Sequence, residues 1–297
     1  MAAMMIVVER MLAAFFLIGL APLVLGMIKL VKARLQNRRG PRLWQPYLDI
    51  GKLLQKEEVV SPTTSWVFRM APFAYLTTAA AAAALLPLPG ADPDHYDVLL
   101  LLYLLAAGRF ALVLASLDAG SAFGGMGGSR EMYLSVLVEP ALMLAFFTLA
   151  APAGSTGLGA LAAQAAAVPF SLPYVFAALA FFVLLLAETG RVPVDNPDTH
   201  LELTMIHEGM LLEYSGRRLG LLHLAAAVRQ LIVIILFAIY FIPWQIGGGL
   251  LALALKVAGT AAVLALTESC TNKMRLFRLP HFLAISGLLS LLALVAQ

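Results

Sequence analysis

The chain alternates long apolar stretches with shorter polar ones, and the apolar stretches set its architecture. A helix needs about 20 mostly apolar residues to cross a bilayer. Eight segments have that character: Met11 to Ile28, Ala71 to Pro89, Val98 to Leu117, Met132 to Ala151, Val168 to Ala187, Leu221 to Ile242, Ile246 to Leu266 and Leu279 to Ala296. The first has no basic segment before it and no small-residue cleavage site, and its cationic run follows it. It reads as a retained anchor and not as a secretory signal. The predicted fold class is all-α: a polytopic integral membrane protein of eight transmembrane helices, one membrane domain over residues 1–297.

Positive charges give an orientation, because cytoplasmic loops hold the excess of Lys and Arg. Lys29, Lys32, Arg34, Arg38, Arg39, Arg42, Lys52, Lys56 and Arg69 fall between the first two spans, and Arg130 between the third and fourth. Arg191, Arg217 and Arg218 follow the fifth span; Lys273, Arg275 and Arg278 follow the seventh. The even-numbered connections have none, and one of them carries Asp92, Asp94 and Asp97 instead. This alternation predicts both termini on the non-cytoplasmic side.

Two cytoplasmic segments, residues 31–70 and 188–220, are too long to be plain connectors. In the first, Tyr47, Ile50 and Leu54 recur on one helical face with basic residues elsewhere, as in an interfacial amphipathic helix. In the second, Asn196 is placed as an N-cap with Pro197 at the first helical position.

Composition narrows the function classes. With 61% hydrophobic and 12% charged residues and a mean hydropathy of +0.89, the bilayer must be the solvent. A single cysteine, Cys270, excludes an internal disulfide framework and any iron–sulfur or thiolate zinc site held by this chain alone. The net charge of +3 is distributed by topology, so no nucleic-acid groove is implied.

Four charged residues fall inside apolar stretches: Arg109, Glu139, Arg229 and Lys256. A charge at a helix centre costs about 2.5–3.5 kcal/mol on insertion scales, so such residues face a bundle interior and pair. They read either as a static ion-pair lattice or as the lining of a proton path, in one lateral row at mid-depth. Glu139 precedes Pro140, which releases a backbone carbonyl where water can enter.

Towards the cytoplasmic end lie Asp118, Glu131, Glu188, Asp195, Asp198, Glu202, Glu208, Glu213 and Glu268. On a helix starting at Pro197, Asp198, Glu202 and Glu213 would share a stripe about 60° wide. Clustered carboxylates raise one another's proton affinity towards neutrality. Glu208 and Asp195 suit loop solvation or capping equally well. His200 and His207 fall on the opposite face of that helix; a zinc pair would need a third ligand, so partner contact or proton shuttling is the reading.

The run Ala33-Arg34-Leu35-Gln36-Asn37-Arg38-Arg39-Gly40-Pro41, then Trp44-Gln45-Pro46-Tyr47-Leu48-Asp49-Ile50-Gly51-Lys52-Leu53-Leu54, resembles formate hydrogenlyase subunit 4. That family belongs to the larger group of the quinone-site membrane subunit of respiratory complex I. Matches continue through Arg109-Phe110, Leu117 to Ser121, Gly128 to Glu131, Val138-Glu139-Pro140, Glu188 with Pro193-Val194-Asp195, Glu213-Tyr214-Ser215-Gly216, Lys256 and Glu268.

The resemblance implies a membrane subunit of a complex I-like assembly, such as a formate hydrogenlyase or another energy-converting nickel–iron hydrogenase, in the cytoplasmic membrane of a prokaryote. Implied partners are a hydrogenase-like large subunit, an iron–sulfur small subunit and antiporter-like membrane subunits. The nickel–iron centre and the iron–sulfur clusters would sit in those partners, with no cofactor or metal in this chain. The expected proton path is Glu131, Glu139, Glu188, Asp198, Glu202, Glu213 and Glu268 with Arg109, Arg229 and Lys256. The expected docking residues are Arg34, Arg38, Arg39, Asp49, Arg130, Asp195, His200 and His207. After Asp195 the family's acid-rich run is replaced by Asn196 to Leu203, which keeps Glu202 and leaves the redox partner open. A quinone-reducing subunit and a stand-alone cation/proton antiporter are the other readings.

Overall fold

The apolar segments fold as helices because a backbone without water around it must satisfy its own hydrogen bonds. In the structure, a computed structural model, residues 2–89, 96–167, 170–196, 204–242 and 249–296 are described. The helices are α1 (Ala2–Leu35), α2 (Gln45–Gln55), α3 (Trp66–Leu85), α4 (Val98–Asp118), α5 (Ala122–Ala153) and α6 (Leu158–Ala167). They continue with α7 (Leu172–Glu188), α8 (His207–Leu211), α9 (Gly216–Tyr240), α10 (Leu250–Cys270) and α11 (Leu279–Val295).

Among the described residues, six helical segments are long and apolar enough to cross a membrane: α1, α4, α5, α9, α10, and α11 with the turn before it. Two more expected spans correspond to α3 and to the 17-residue α7. The alanine run of α3 has a packing reason. Ala79, Ala82 and Ala83 are fully buried, and small residues at this spacing let helix backbones approach closely.

The centre of the bundle is α9. In its apolar window 72% of the residues are buried, against 28% in α10 and 28% in α11.

Several expected boundaries move. The first helix reaches Leu35 and carries Lys29, Lys32 and Arg34 with it. The fifth begins at Ala122, so Arg130 and Glu131 stand on a helix and not in a connection. Its glycine-rich start reads locally as loop, but Ser121 caps it by accepting from Gly124 N at 3.1 Å. The glycines are also what α8 packs on: a Cβ on Gly127 would lie 3.0 Å from both Gly209 C and Met210 N. The short α6, too short to span, fills a connection expected to be plain chain, and buries Leu158 and Leu161.

The amphipathic helix α2 forms, with its inward face turned by one residue. Pro46 and Ile50 are buried, whereas Tyr47 and Leu54 stay exposed. The reason lies on α9, where Gly220 leaves room: its Cβ would stand 3.2 Å from Leu53 Cβ. Tyr47 still anchors the helix, since its hydroxyl donates to Gly19 O on α1.

The helix expected from Pro197 does not run through to Glu213. Residues 197–203, with Asp198, His200 and Glu202, lie outside the described residues; residues 204–206 are not helical, and Glu213 sits exposed in a turn after α8. Tertiary partners take up the backbone groups that a helix would have used. Arg130 Nη1 donates to Met205 O at 2.8 Å, Lys273 Nζ donates to Thr204 O at 2.6 Å, and Asp195 Oδ2 accepts from Ile206 N at 3.1 Å.

One buried cation is not visible in the alternation of charged loops. Arg10 on α1 is 5% exposed, donates to Leu86 O at 3.1 Å, and lies 5.2 Å from the centre of the Tyr96 ring.

Candidate functional site

On α5, Glu131, Ser135 and Glu139 recur every four residues, a spacing that lines them along one helical face. That stripe meets Arg109 of α4. Arg109 Nη1 donates to Ser135 Oγ at 2.8 Å and lies 3.6 Å from Glu139 Oε1, and its Nε lies 3.5 Å from Glu131 Oε1. From α7, Glu188 accepts from Arg109 Nη2 at 2.5 Å through each of its two oxygens.

The second guanidinium comes from α9. Arg229 Nη2 is 4.0 Å from Glu188 Oε2, its Nη1 donates to Leu105 O at 2.6 Å, and its head lies 5.0 Å from the centre of the Tyr75 ring. Gly108 makes the convergence possible. A Cβ there would collide with Thr78 Oγ1 and stand 3.3 Å from Arg229 Nη1.

Three carboxylates therefore face two guanidinium groups inside the bundle. Arginine stays protonated, so with every carboxylate ionised the cluster carries one negative charge in excess. Taking such charge out of water costs several kcal/mol per ion unless it is paired or neutralised. A proton on one carboxylate removes the excess. Glu139 is the accessible member, its side chain 37% exposed against 3% for Glu188. It opens onto a narrow cleft whose other walls are mostly apolar, among them Leu102, Tyr103, Leu142 and Phe181.

A second cluster lies beside the first. Glu268, whose side chain has no exposed surface, accepts from Arg191 Nη1 at 2.9 Å and pairs with Lys32 Nζ at 3.1 Å. Arg191 Nη2 also donates to Gln230 Oε1 at 3.0 Å. Nothing in the sequence pattern marks Arg191 or Gln230 as members of a site. The four-residue spacing on α5 is the one local signal, and for Ser135 alone.

Not every expected residue joins these groups. Lys256 donates to Ile242 O at 2.9 Å, just beyond the C-terminal end of α9 where helix carbonyls favour a cation. Arg109, Glu139 and Arg229 therefore come together with Glu188, and Lys256 is not among them. Asp195 is 3% exposed and braces a loop. It accepts from Lys273 Nζ at 2.6 Å and from Asn196 N at 2.8 Å. Arg34, Arg38, Arg39 and Asp49 are exposed, whereas Arg130 and His207 are partly buried.

The chain is similar to formate hydrogenlyase subunit 4 of Escherichia coli (strain K12), 36% identical over 286 residues that cover 92% of each chain. Hydrogenase-4 component C of the same organism is 36% identical over 80% of this chain and 76% of its own length. NADH-quinone oxidoreductase subunit 8 of Rhodothermus marinus is 31% identical over 70% of this chain and 65% of its own. The fold matches a chain of the membrane-bound sulfane sulfur reductase, an archaeal respiratory membrane complex, with a TM-score of 0.85 over 98% of this chain and 99% of that one at 19% identity. With residues 7–297 also matching the NADH dehydrogenase family as a whole, this multi-pass membrane protein belongs to that family.

Proposed function

We propose that this chain is the membrane subunit that joins a redox arm to a proton-translocating arm in a complex I-like assembly of the hydrogenase or formate hydrogenlyase kind. The observation that carries the reading is the set of three carboxylates around Arg109 inside the apolar bundle, one of them half open to a cleft. A lattice built only for stability would do better with neutral packing, because replacing buried ion pairs by apolar groups is often neutral or stabilising.

On this reading the helices form eight spans with both termini on the non-cytoplasmic side, in the cytoplasmic membrane. The exposed Arg34, Arg38, Arg39 and Asp49 meet a hydrogenase-like large subunit and an iron–sulfur small subunit, which hold the nickel–iron centre and the clusters. His200 belongs to the same docking side. The Arg109 cluster hands protons towards antiporter-like subunits, and Glu268, Glu213, Asp198 and Glu202 supply its cytoplasmic side. The chain itself performs no bond chemistry; electron transfer in the partner changes the protonation of its carboxylates.

Glu188→Gln in the whole assembly, reconstituted into liposomes, tests this. Redox turnover and subunit content should persist while proton translocation is lost; unchanged translocation would sink the reading. The relatives named as NADH-quinone oxidoreductase subunits favour a second version, in which residues 31–70 and 188–220 wall a quinone headgroup. Quinone retained in the purified assembly would select it. Cation/proton exchange in liposomes holding this chain alone would select an antiporter.

A further inference from the structure

The acidic stripe expected between residue 197 and Glu213 is not what the described part of that segment offers. Glu213 is exposed in a turn, and Asp195 is engaged by Lys273 and three backbone N–H groups. A different side chain faces the buried cluster from this side. His207 opens α8, its ring is partly buried, and its Nε2 is shielded from solvent without a hydrogen-bond partner among the described residues. The ring lies 6.3 Å from that of Tyr75, centre to centre. Tyr75 in turn carries Arg229 5.0 Å from its ring centre, and Arg229 reaches Glu188.

The surroundings of His207 run in two directions. On the α3 side, Tyr75 is within electrostatic reach of Arg229, Glu131, Arg109 and Glu188. On the other side, His223 of α9 is within reach of His207, Glu208 of α8, Lys29 of α1 and Asp49 of α2. From α5, Arg130 is held on Met205 O, two residues before His207, and Asp195 accepts from the His207 backbone N–H. His207 thus neighbours both Tyr75, which is in reach of the inner carboxylates, and His223, which is in reach of Glu208 and of Lys29 and Asp49, the last two exposed on one face of the bundle.

We propose that His207 is the residue through which protons pass between that face and the Glu131, Glu139 and Glu188 carboxylates. This rests on the proton-coupling reading above. Imidazole suits the position because it exchanges protons near neutral pH and has two ring nitrogens. A proton taken up at one nitrogen gives the imidazolium; the other nitrogen then gives its proton to the Tyr75 hydroxyl as that hydroxyl releases its own towards the Glu131, Glu139 and Glu188 carboxylates, which restores both the neutral ring and the phenol. No electron moves and no other bond changes. Tyr75 can both donate and accept on this route, whereas Arg229 keeps its proton and serves as a fixed charge beside Glu188. The role also differs from docking, since a ring turned inward onto Tyr75 is not a contact surface.

The test uses the complete assembly in liposomes, with proton uptake per redox turnover followed across pH. His207→Gln and His207→Asn keep a polar side chain of similar size that cannot exchange protons, and one assembled variant suffices. Uptake per turnover should fall by roughly tenfold or more with redox turnover kept, and the pH profile should lose the limb that depends on an imidazole. Added imidazole should restore part of the uptake in His207→Ala. Wild-type uptake in His207→Gln or His207→Asn, alongside loss in Glu188→Gln, would overturn the proposal and leave the coupling reading standing. Wild-type uptake in the His207 variants and in Glu188→Gln would overturn both. Should no His207 variant assemble, infrared difference spectra of the unmodified, histidine-labelled assembly between redox states decide: an imidazole band supports the route, and none at all overturns it.

Discussion

Arg191 and Gln230 are joined by a hydrogen bond of 3.0 Å, and it links two buried charge clusters through consecutive residues of one helix. Arg229 faces Glu188 in the first cluster, and Gln230 faces the arginine that holds Glu268 in the second. Glu188 and Arg191 are themselves three residues apart, at the end of α7 and in the turn after it. The turn between them therefore carries a carboxylate of one cluster and a guanidinium of the other. Both clusters are thereby tied to α9, whose apolar window is 72% buried.

Removing the guanidinium at the centre should be costly for folding as well as for coupling. Arg109→Gln leaves Glu131, Glu139 and Glu188 facing one another, and breaking a buried ion pair from one side costs about 3–5 kcal/mol. The solubilised protein should show a clearly lower melting temperature. An unchanged value would mean that these acids are already neutral.

The Arg191–Glu268 pair should behave as a unit. Glu268→Gln and Arg191→Gln each strand a buried charge, so the double variant should be destabilised by less than the sum of the two, with an interaction of about 0.5–3 kcal/mol. A cycle of melting measurements on the four proteins reads this directly. Simple additivity would show that Lys32 alone balances Glu268.

Two glycines on the same helix give opposite expectations. Gly127→Ala sets a methyl 3.0 Å from the α8 backbone and should destabilise by about 1–3 kcal/mol. Gly125→Ala meets nothing within 4 Å and should be neutral or stabilise by up to about 1 kcal/mol. Melting temperatures that fail to diverge would show that α5 and α8 do not pack this closely.

Tyr214 predicts a pH dependence at the alkaline end. Burial raises its phenol above the ordinary value of 10.0, and its hydroxyl donates to Phe68 O at 2.8 Å. The sign follows: a group whose folded value is raised contributes stability that is present below the unfolded value and lost as the pH climbs past it. Thermal stability should therefore fall as pH rises through 10, and the fall should be smaller in Tyr214→Phe. An equal fall in both proteins would place its cause elsewhere.

Bracing of the loop by Asp195 can be read by proteolysis. Asp195→Asn removes the charge that holds Lys273 and weakens acceptance from Ile206 N and His207 N. Cleavage between residues 196 and 206 should become faster in the solubilised protein. Unchanged cleavage would show that Arg130 and Lys273, on the carbonyls of Met205 and Thr204, are enough.

By itself the sequence determined the apolar segments, the all-α architecture and the presence of charges that had to be buried. Each of these is local: whether a stretch from Val98 to Leu117 prefers lipid to water is summed along that stretch, and Arg109 is expensive there wherever its partner lies. The match of the Arg34 to Pro41 run and of the Glu213 to Gly216 run to a known family was legible for the same reason. What the tertiary structure alone decided is which charge meets which. Arg109 and Glu188 stand 79 residues apart, and their meeting depends on how α4 and α7 rotate about their axes. In a soluble helix the apolar stripe reveals that rotation. In a membrane the solvent is as apolar as the core, so the inward and outward faces of these helices read alike, and only packing around α9, with glycines at 108, 127 and 220 as points of close approach, fixes them.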